Sequence, residues 1–156
     1  QAGLLDSPIL YLSRYISLTK DRYYAELQAL RETGEWESWL LYLLQGVAVT
    51  ARHTTGLVEA IGGLLQRHKQ FIRAHYKFYS QDLINNIFRH PYTKVAFVEK
   101  DLGVSRATAT RYLDALAKGG TLDKHRVGRE NYYVNRELVR LLFELPPMDI
   151  KTQLQS

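Results

Sequence analysis

Apolar side chains recur at helical spacing along most of the chain, in blocks separated by strong turn signals. Ser7 as N-cap and Pro8 at the first helical position open a helix in which Ile9, Leu10, Leu12, Tyr15 and Ile16 are apolar. A second helix, from about Lys20 to Thr33, carries Tyr23, Tyr24, Leu27 and Leu30 and ends at Gly34, a residue suited to a left-handed C-cap. The third begins near Glu35 and sets Trp36, Trp39, Leu40, Leu43, Leu44 and Val47 at i, i+3, i+4 spacing, which predicts core positions. The fourth extends from about Gly56 to Tyr79 through Leu57, Ile61, Leu64, Leu65, His68, Phe71, Ile72 and His75.

The pattern changes after residue 79. Ser80-Gln81-Asp82 restarts a short helix with Leu83, Ile84, Ile87 and Phe88 apolar, and His90-Pro91-Tyr92-Thr93 breaks it. Val95 to Leu102 then predicts a helix and Gly103 a turn. Ser105 is placed to N-cap a second helix, with Ala109, Leu113 and Leu116 inward and Arg106, Ala107, Thr108, Thr110, Arg111 and Asp114 outward. Beyond Gly119-Gly120, Leu122–Arg126 and Asn131–Val134 read as two strands joined through Val127-Gly128-Arg129-Glu130. A last helix starts at the Asn135 cap, carries Leu138, Leu141, Leu142 and Leu145, and stops at Pro146-Pro147. The predicted fold is mainly α: a helical bundle over 1–79, a winged helix-turn-helix with a β-hairpin wing over 80–145, and a polar tail over 146–156.

Composition narrows the function classes. With 156 residues and 46% hydrophobic content, the chain can bury a substantial core, and having no cysteine it offers neither disulfides nor thiolate metal ligands. Of the five histidines only His68 and His75 share a face, without a carboxylate at ligand spacing, so no metal site or catalytic triad is predicted. No apolar run approaches the roughly 18 residues that span a bilayer, and the expected location is cytoplasmic, with no membrane partner.

Net charge is +5, but its distribution matters more than its sum. Between Gly103 and Arg129 six Lys or Arg stand against two Asp, a local excess of four positive charges. A basic face of this kind suits phosphates. The candidate DNA contacts are Ser105, Arg106, Thr108, Thr110 and Arg111 on the second helix, with Lys124, Arg126 and Arg129 clustered around the hairpin tip. The alternative is a protein-interaction or dimerisation module that positions protein targets without DNA, since fold alone does not fix function.

Two segments together resemble the C-terminal half of Fic-family proteins. Leu4-Leu5-Asp6-Ser7-Pro8-Ile9-Leu10-Tyr11-Leu12-Ser13-Arg14-Tyr15-Ile16, Asp21-Arg22-Tyr23-Tyr24 and Gly34-Glu35-Trp36-Glu37-Ser38-Trp39 are similar to the helices that close a Fic core. His90-Pro91-Tyr92-Thr93-Lys94, Val104-Ser105-Arg106-Ala107-Thr108-Ala109 and Gly128-Arg129-Glu130-Asn131-Tyr132-Tyr133-Val134-Asn135 resemble the winged-helix domain that many of these proteins carry. The resemblance implies a parent protein that transfers AMP from ATP, with Mg²⁺, to hydroxyls of a protein target. The motif H-P-F-x-x-G-N-G-R that does this in the family is not in the chain. His90-Pro91-Tyr92 imitates its start, but Thr93-Lys94-Val95-Ala96 follows where a phosphate loop belongs. No catalytic residue and no cofactor site is therefore expected here, and the motif is expected upstream of Gln1. The apolar opening at Leu4, Leu5, Ile9 and Leu10 is expected to pack against such upstream helices or against a second copy in a homodimer.

Overall fold

A computed structural model describes residues 11–143; the predicted start at Ser7-Pro8, the stop at Pro146-Pro147 and the tail lie outside them. The described residues divide into two compact units, 11–56 and 57–143.

In the first unit, α1 (Leu12–Leu18) and α2 (Lys20–Thr33) pack with the early part of α3 (Glu37–His75). Gly34 caps α2 at φ 72°, as its position after the apolar pattern implies. Tyr15, Tyr42 and Val49 are buried, and Tyr23 and Trp39 pack against them. Thr19 Oγ1 and Tyr42 Oη lie 2.9 Å apart, which satisfies a hydroxyl inside this aromatic cluster. A β-carbon on Gly46 would stand 2.6 Å from the Tyr15 ring, so glycine is what lets α1 come this close to α3.

The core expected around Trp36 is displaced. Trp36 is 60% exposed and Leu40 and Leu44 also face solvent, whereas Trp39, Tyr42, Leu43, Val49 and Thr50 turn inward. The two sets lie roughly a third of a turn apart on the helix. Helical periodicity alone could not say which one finds partners.

The third and fourth predicted helices are one. Gly56 costs a helix only about 1 kcal/mol relative to alanine, which is too little to end a helix carrying apolar positions on both sides of it. Thr54 Oγ1 donates to Thr50 O at 2.9 Å, so its hydroxyl is satisfied within the helix rather than capping a new one. The helix ends at His75, before Tyr79, and a turn at Lys77 and Phe78 follows.

The second unit contains the rest of α3 and then α4 (Gln81–Arg89), β1 (Tyr92–Lys94), α5 (Val95–Leu102), α6 (Arg106–Lys118), β2 (Asp123–Val127), β3 (Glu130–Val134) and α7 (Arg136–Phe143). Ser80 caps α4 by accepting from Leu83 N at 3.1 Å, and Gly103 takes φ 64° between α5 and α6. Ile72, Leu83, Ile84, Ile87, Val98, Ala109, Leu113, Leu116, Leu122 and Tyr133 form one buried core. The chain is thus mainly helical with a small antiparallel sheet of order β1-β3-β2, as the fold prediction requires.

β1 was not anticipated: the Pro91 break hides a three-residue strand that pairs Tyr92 with Val134 and Lys94 with Tyr132. Three residues are too few to show alternation. Behind this strand, Thr93 Oγ1 donates to Asn86 Oδ1 at 2.6 Å, and Asn86 Nδ2 donates to Asp101 Oδ2 at 2.8 Å. The buried Asn135 caps α7 by accepting from Leu138 N at 3.1 Å.

Candidate nucleic-acid interface

The outward face of α6 begins at its cap. Ser105 Oγ accepts from Thr108 N at 3.3 Å and donates to Thr108 Oγ1 at 3.0 Å, while Thr110 Oγ1 donates to Arg106 O at 2.8 Å. The Ser105 and Thr110 hydroxyls therefore spend their protons on the helix itself, whereas Thr108 Oγ1 accepts from Ser105. Arg106 and Arg111 remain exposed beside them, Arg111 lying 5.7 Å from the centre of the Tyr112 ring.

The hairpin completes the face. Its strands extend to Val127↔Glu130, leaving a two-residue turn at Gly128-Arg129. Gly128 has φ 60° and Arg129 does not have positive φ, the pattern of a type II′ hairpin turn. Side chains alternate across a strand, so Lys124 and Arg126 share the sheet face of buried Tyr133, which looks toward α6, while His125 and Val127 take the other. Arg126 Nε donates to Gly128 O at 3.4 Å, and Arg129 stands at the turn.

Lys124 is placed differently from its expected position at the tip. It pairs with Tyr133 near the base of the hairpin, and its Nζ lies 2.7 Å from Asp114 Oδ1. Tyr133 Oη donates to the same oxygen at 2.7 Å. Burial pushes the Asp114 carboxyl up, but the hydrogen bonds from Lys124 and Tyr133 and the charge of Lys124 outweigh it and hold the group below the usual carboxylate range. The bond to Asp114 correspondingly raises Lys124. Asp114, expected outward, is half-buried under the wing.

Between the first turns of α6 and the hairpin turn lies a cavity of about 110 Å³ lined by Lys94, Arg106, Thr110, Arg129, Glu130 and Asn131. Lys94 Nζ lies 2.6 Å from Glu130 Oε2 and 4.3 Å from the centre of the Tyr132 ring. Its hydrogen bonds to Glu130 and Tyr132 raise the Lys94 ammonium, and the same bond to Lys94 lowers the Glu130 carboxyl. The two charges cancel locally. What is left is cationic: among the described residues Arg106, Arg111, Arg126 and Arg129 make no ion pair. Lys94 was missed by the sequence reading because it enters the cavity through β1 and its pairing with β3, and Asn131, opposite Arg126 on the predicted hairpin, because strand pattern alone did not mark it as a cavity residue.

Residues 64–138, which cover the end of α3 and almost all of the second unit, match the family model described as protein adenylyltransferase SoFic-like, C-terminal domain. This segment belongs to that family. The SoFic-like domain is the C-terminal region of an adenylyltransferase, in agreement with the Fic resemblance seen in the sequence. The match begins inside α3, so the resemblance of residues 4–39 to a Fic core stands outside it.

Within the SoFic-like domain, the segment after His90 does not fit a nucleotide's phosphates. Tyr92, Thr93 and Lys94 pair with β3, and the Thr93 hydroxyl is buried against Asn86, so this backbone cannot wrap an anion as a phosphate loop does. Among the described residues no helix is long and apolar enough to cross a membrane, and no group of three or more His, Asp or Glu could hold a metal ion.

Proposed function

We propose that the chain is the DNA-binding and regulatory region of a cytoplasmic Fic-type adenylyltransferase, with α6 entering the major groove and the β2–β3 wing lying on the adjacent backbone. One observation carries this: Arg106, Arg111, Arg126 and Arg129 surround the α6 N-terminus and the wing and make no ion pair among the described residues, Arg106 only adding its charge to the field at Glu130, while the acids of the same face are already engaged by Lys94 and Lys124. Exposed guanidinium groups that make no ion pair are available for phosphates and for guanine edges. ATP and Mg²⁺ belong to the catalytic part of the parent, which modifies a protein target. Fluorescence anisotropy with a labelled duplex at about 50 mM salt, where screening is weak, tests the reading. Binding tighter than roughly 10 μM that weakens steeply with salt is expected, and no binding in that range sinks it.

A second reading concerns the first unit. Trp36 just before α3, with Leu40, Leu44 and Val47 on it, forms an exposed apolar stripe, which favours packing against protein, whether the catalytic helices of the parent or a second copy. Analytical ultracentrifugation distinguishes the two, since only self-association depends on the concentration of this chain alone.

A further inference from the structure

We infer that Asp114 is a positioning residue of the proposed DNA site: it holds the wing against the reading helix through Lys124 and Tyr133, so Lys124 serves the interface from inside the protein rather than as a phosphate ligand. The inference rests on the DNA-binding reading and deepens it. Asp114 sits in the middle of α6, and one of its carboxylate oxygens accepts from two residues that face each other across the hairpin, Lys124 on β2 and Tyr133 on β3. A single atom therefore ties the reading helix to both strands of the wing. Lys124 also lies 5.6 Å from the centre of the Tyr133 ring, which gives the ammonium a second intramolecular partner.

The geometry separates the six cations of the face into two groups. Arg126 and Arg129 are carried past the junction toward the turn, and Arg106 and Arg111 project from the helix, all without ion pairs among the described residues. Lys118 is exposed at the last turn of α6, and Lys124 alone is spent within the protein. Where Arg126 and Arg129 meet DNA depends on what fixes the base of the hairpin. Pairing of β3 with β1 holds one side, and Asp114 ties both strands to α6. It also explains an acid on an otherwise cationic helix face: with Lys124 and Tyr133 in place, its charge is directed into the wing and not toward DNA.

The test uses the full 156-residue chain with Asp114→Asn, Lys124→Gln and the double variant, read by anisotropy with one mixed-sequence duplex. If Asp114 positions the wing, each single change weakens binding about five- to tenfold, and the double change weakens it no further than the worse single one, as expected of two ends of one interaction. If Lys124 is instead a phosphate ligand, Asp114→Asn frees it and removes a negative charge, so binding tightens. That result overturns the inference while leaving DNA binding intact. Hydrogen exchange of the β2–β3 amides in the DNA-free chain gives a second readout. Asp114→Asn should speed it about tenfold, and exchange equal to that of the native chain overturns the inference whatever the duplex does. Absence of any duplex binding by the native chain sinks the functional reading itself, with exchange still reporting whether Asp114 anchors the wing.

Discussion

Tyr76 lies across Gly119 so closely that a β-carbon at position 119 would overlap its hydroxyl. The same hydroxyl donates to Ala115 O at 3.3 Å, so the turn after α3 is pressed onto the last turn of α6. Gly119 has φ −81°, which alanine also adopts, so the requirement for glycine here is steric and not conformational. Gly119→Ala should destabilise the chain by about 1–3 kcal/mol, the usual cost of overpacking. Adding Tyr76→Phe should recover part of that loss in urea denaturation, because the overlapping atom is removed, although alone it sacrifices a hydrogen bond. Strict additivity of the two changes would contradict the overlap.

The polar ladder behind β1 gives a second stability test. Thr93, Asn86 and Asp101 are linked in series, with Arg89 Nη1 3.0 Å from the same Asp101 oxygen. Thr93→Val keeps the shape and removes the hydroxyl that donates to Asn86 Oδ1. The expected loss is about 1–3 kcal/mol, since a buried acceptor is left without a partner. A change below about 0.5 kcal/mol in chemical denaturation would show that water replaces the hydroxyl.

What the sequence disclosed follows from which constraints are local. The Ser105 cap, the Gly103 turn and the inward set Ala109, Leu113 and Leu116 depend on residues within one or two helical turns, and the structure shows them where they were expected. The hairpin was legible to within a residue because Gly128 marks its turn. β1 was not, since its existence rests on pairing with residues about 40 positions away, and Lys94 was lost from the candidate site with it. Asp114 and Lys124 were each assigned an exposed role from helix and strand patterns taken separately. Only the packing of α6 against the wing joins them.

Acid should loosen the same junction. The folded state holds the Asp114 carboxyl below its ordinary value near 4, so the unfolded chain takes up the proton first as pH falls. The contribution of Asp114 is therefore complete at neutral pH and is lost as pH drops through the ordinary carboxylate range to the lowered folded value. Glu130, lowered by its hydrogen bond to Lys94, acts in the same direction. Urea midpoints measured from pH 7 to about pH 3 should fall less in Asp114→Asn than in the native chain. Parallel curves would assign the acid sensitivity to other carboxylates.

The apolar stripe on α3 predicts a surface phenotype without a folding phenotype. Leu40 and Leu44 are 50% and 64% exposed, so Leu40→Gln with Leu44→Gln should change stability by no more than about 0.5 kcal/mol per site. Binding of a hydrophobic dye, expected for the native chain, should drop in the double variant. Unchanged dye binding would place the sticky surface elsewhere.

The four unpaired arginines should divide by role if α6 reads bases and the wing holds the backbone. Arg106 and Arg111 follow the Ser105 cap on the outward side of α6, where the first turns of a reading helix meet base edges. Arg106→Ala or Arg111→Ala should cost about 1–3 kcal/mol at a preferred site and relax the preference there, as loss of a bidentate contact to guanine does. Arg126 and Arg129 belong to the hairpin, and their alanine variants should weaken all duplexes alike. Each should also reduce the slope of log K against log salt by roughly one, the signature of a lost phosphate contact. Selection of a preferred duplex from a random pool, followed by anisotropy at several salt concentrations, separates the classes. Equal salt slopes in all four variants and the native chain would remove the arginines from the interface and favour a wing that binds protein.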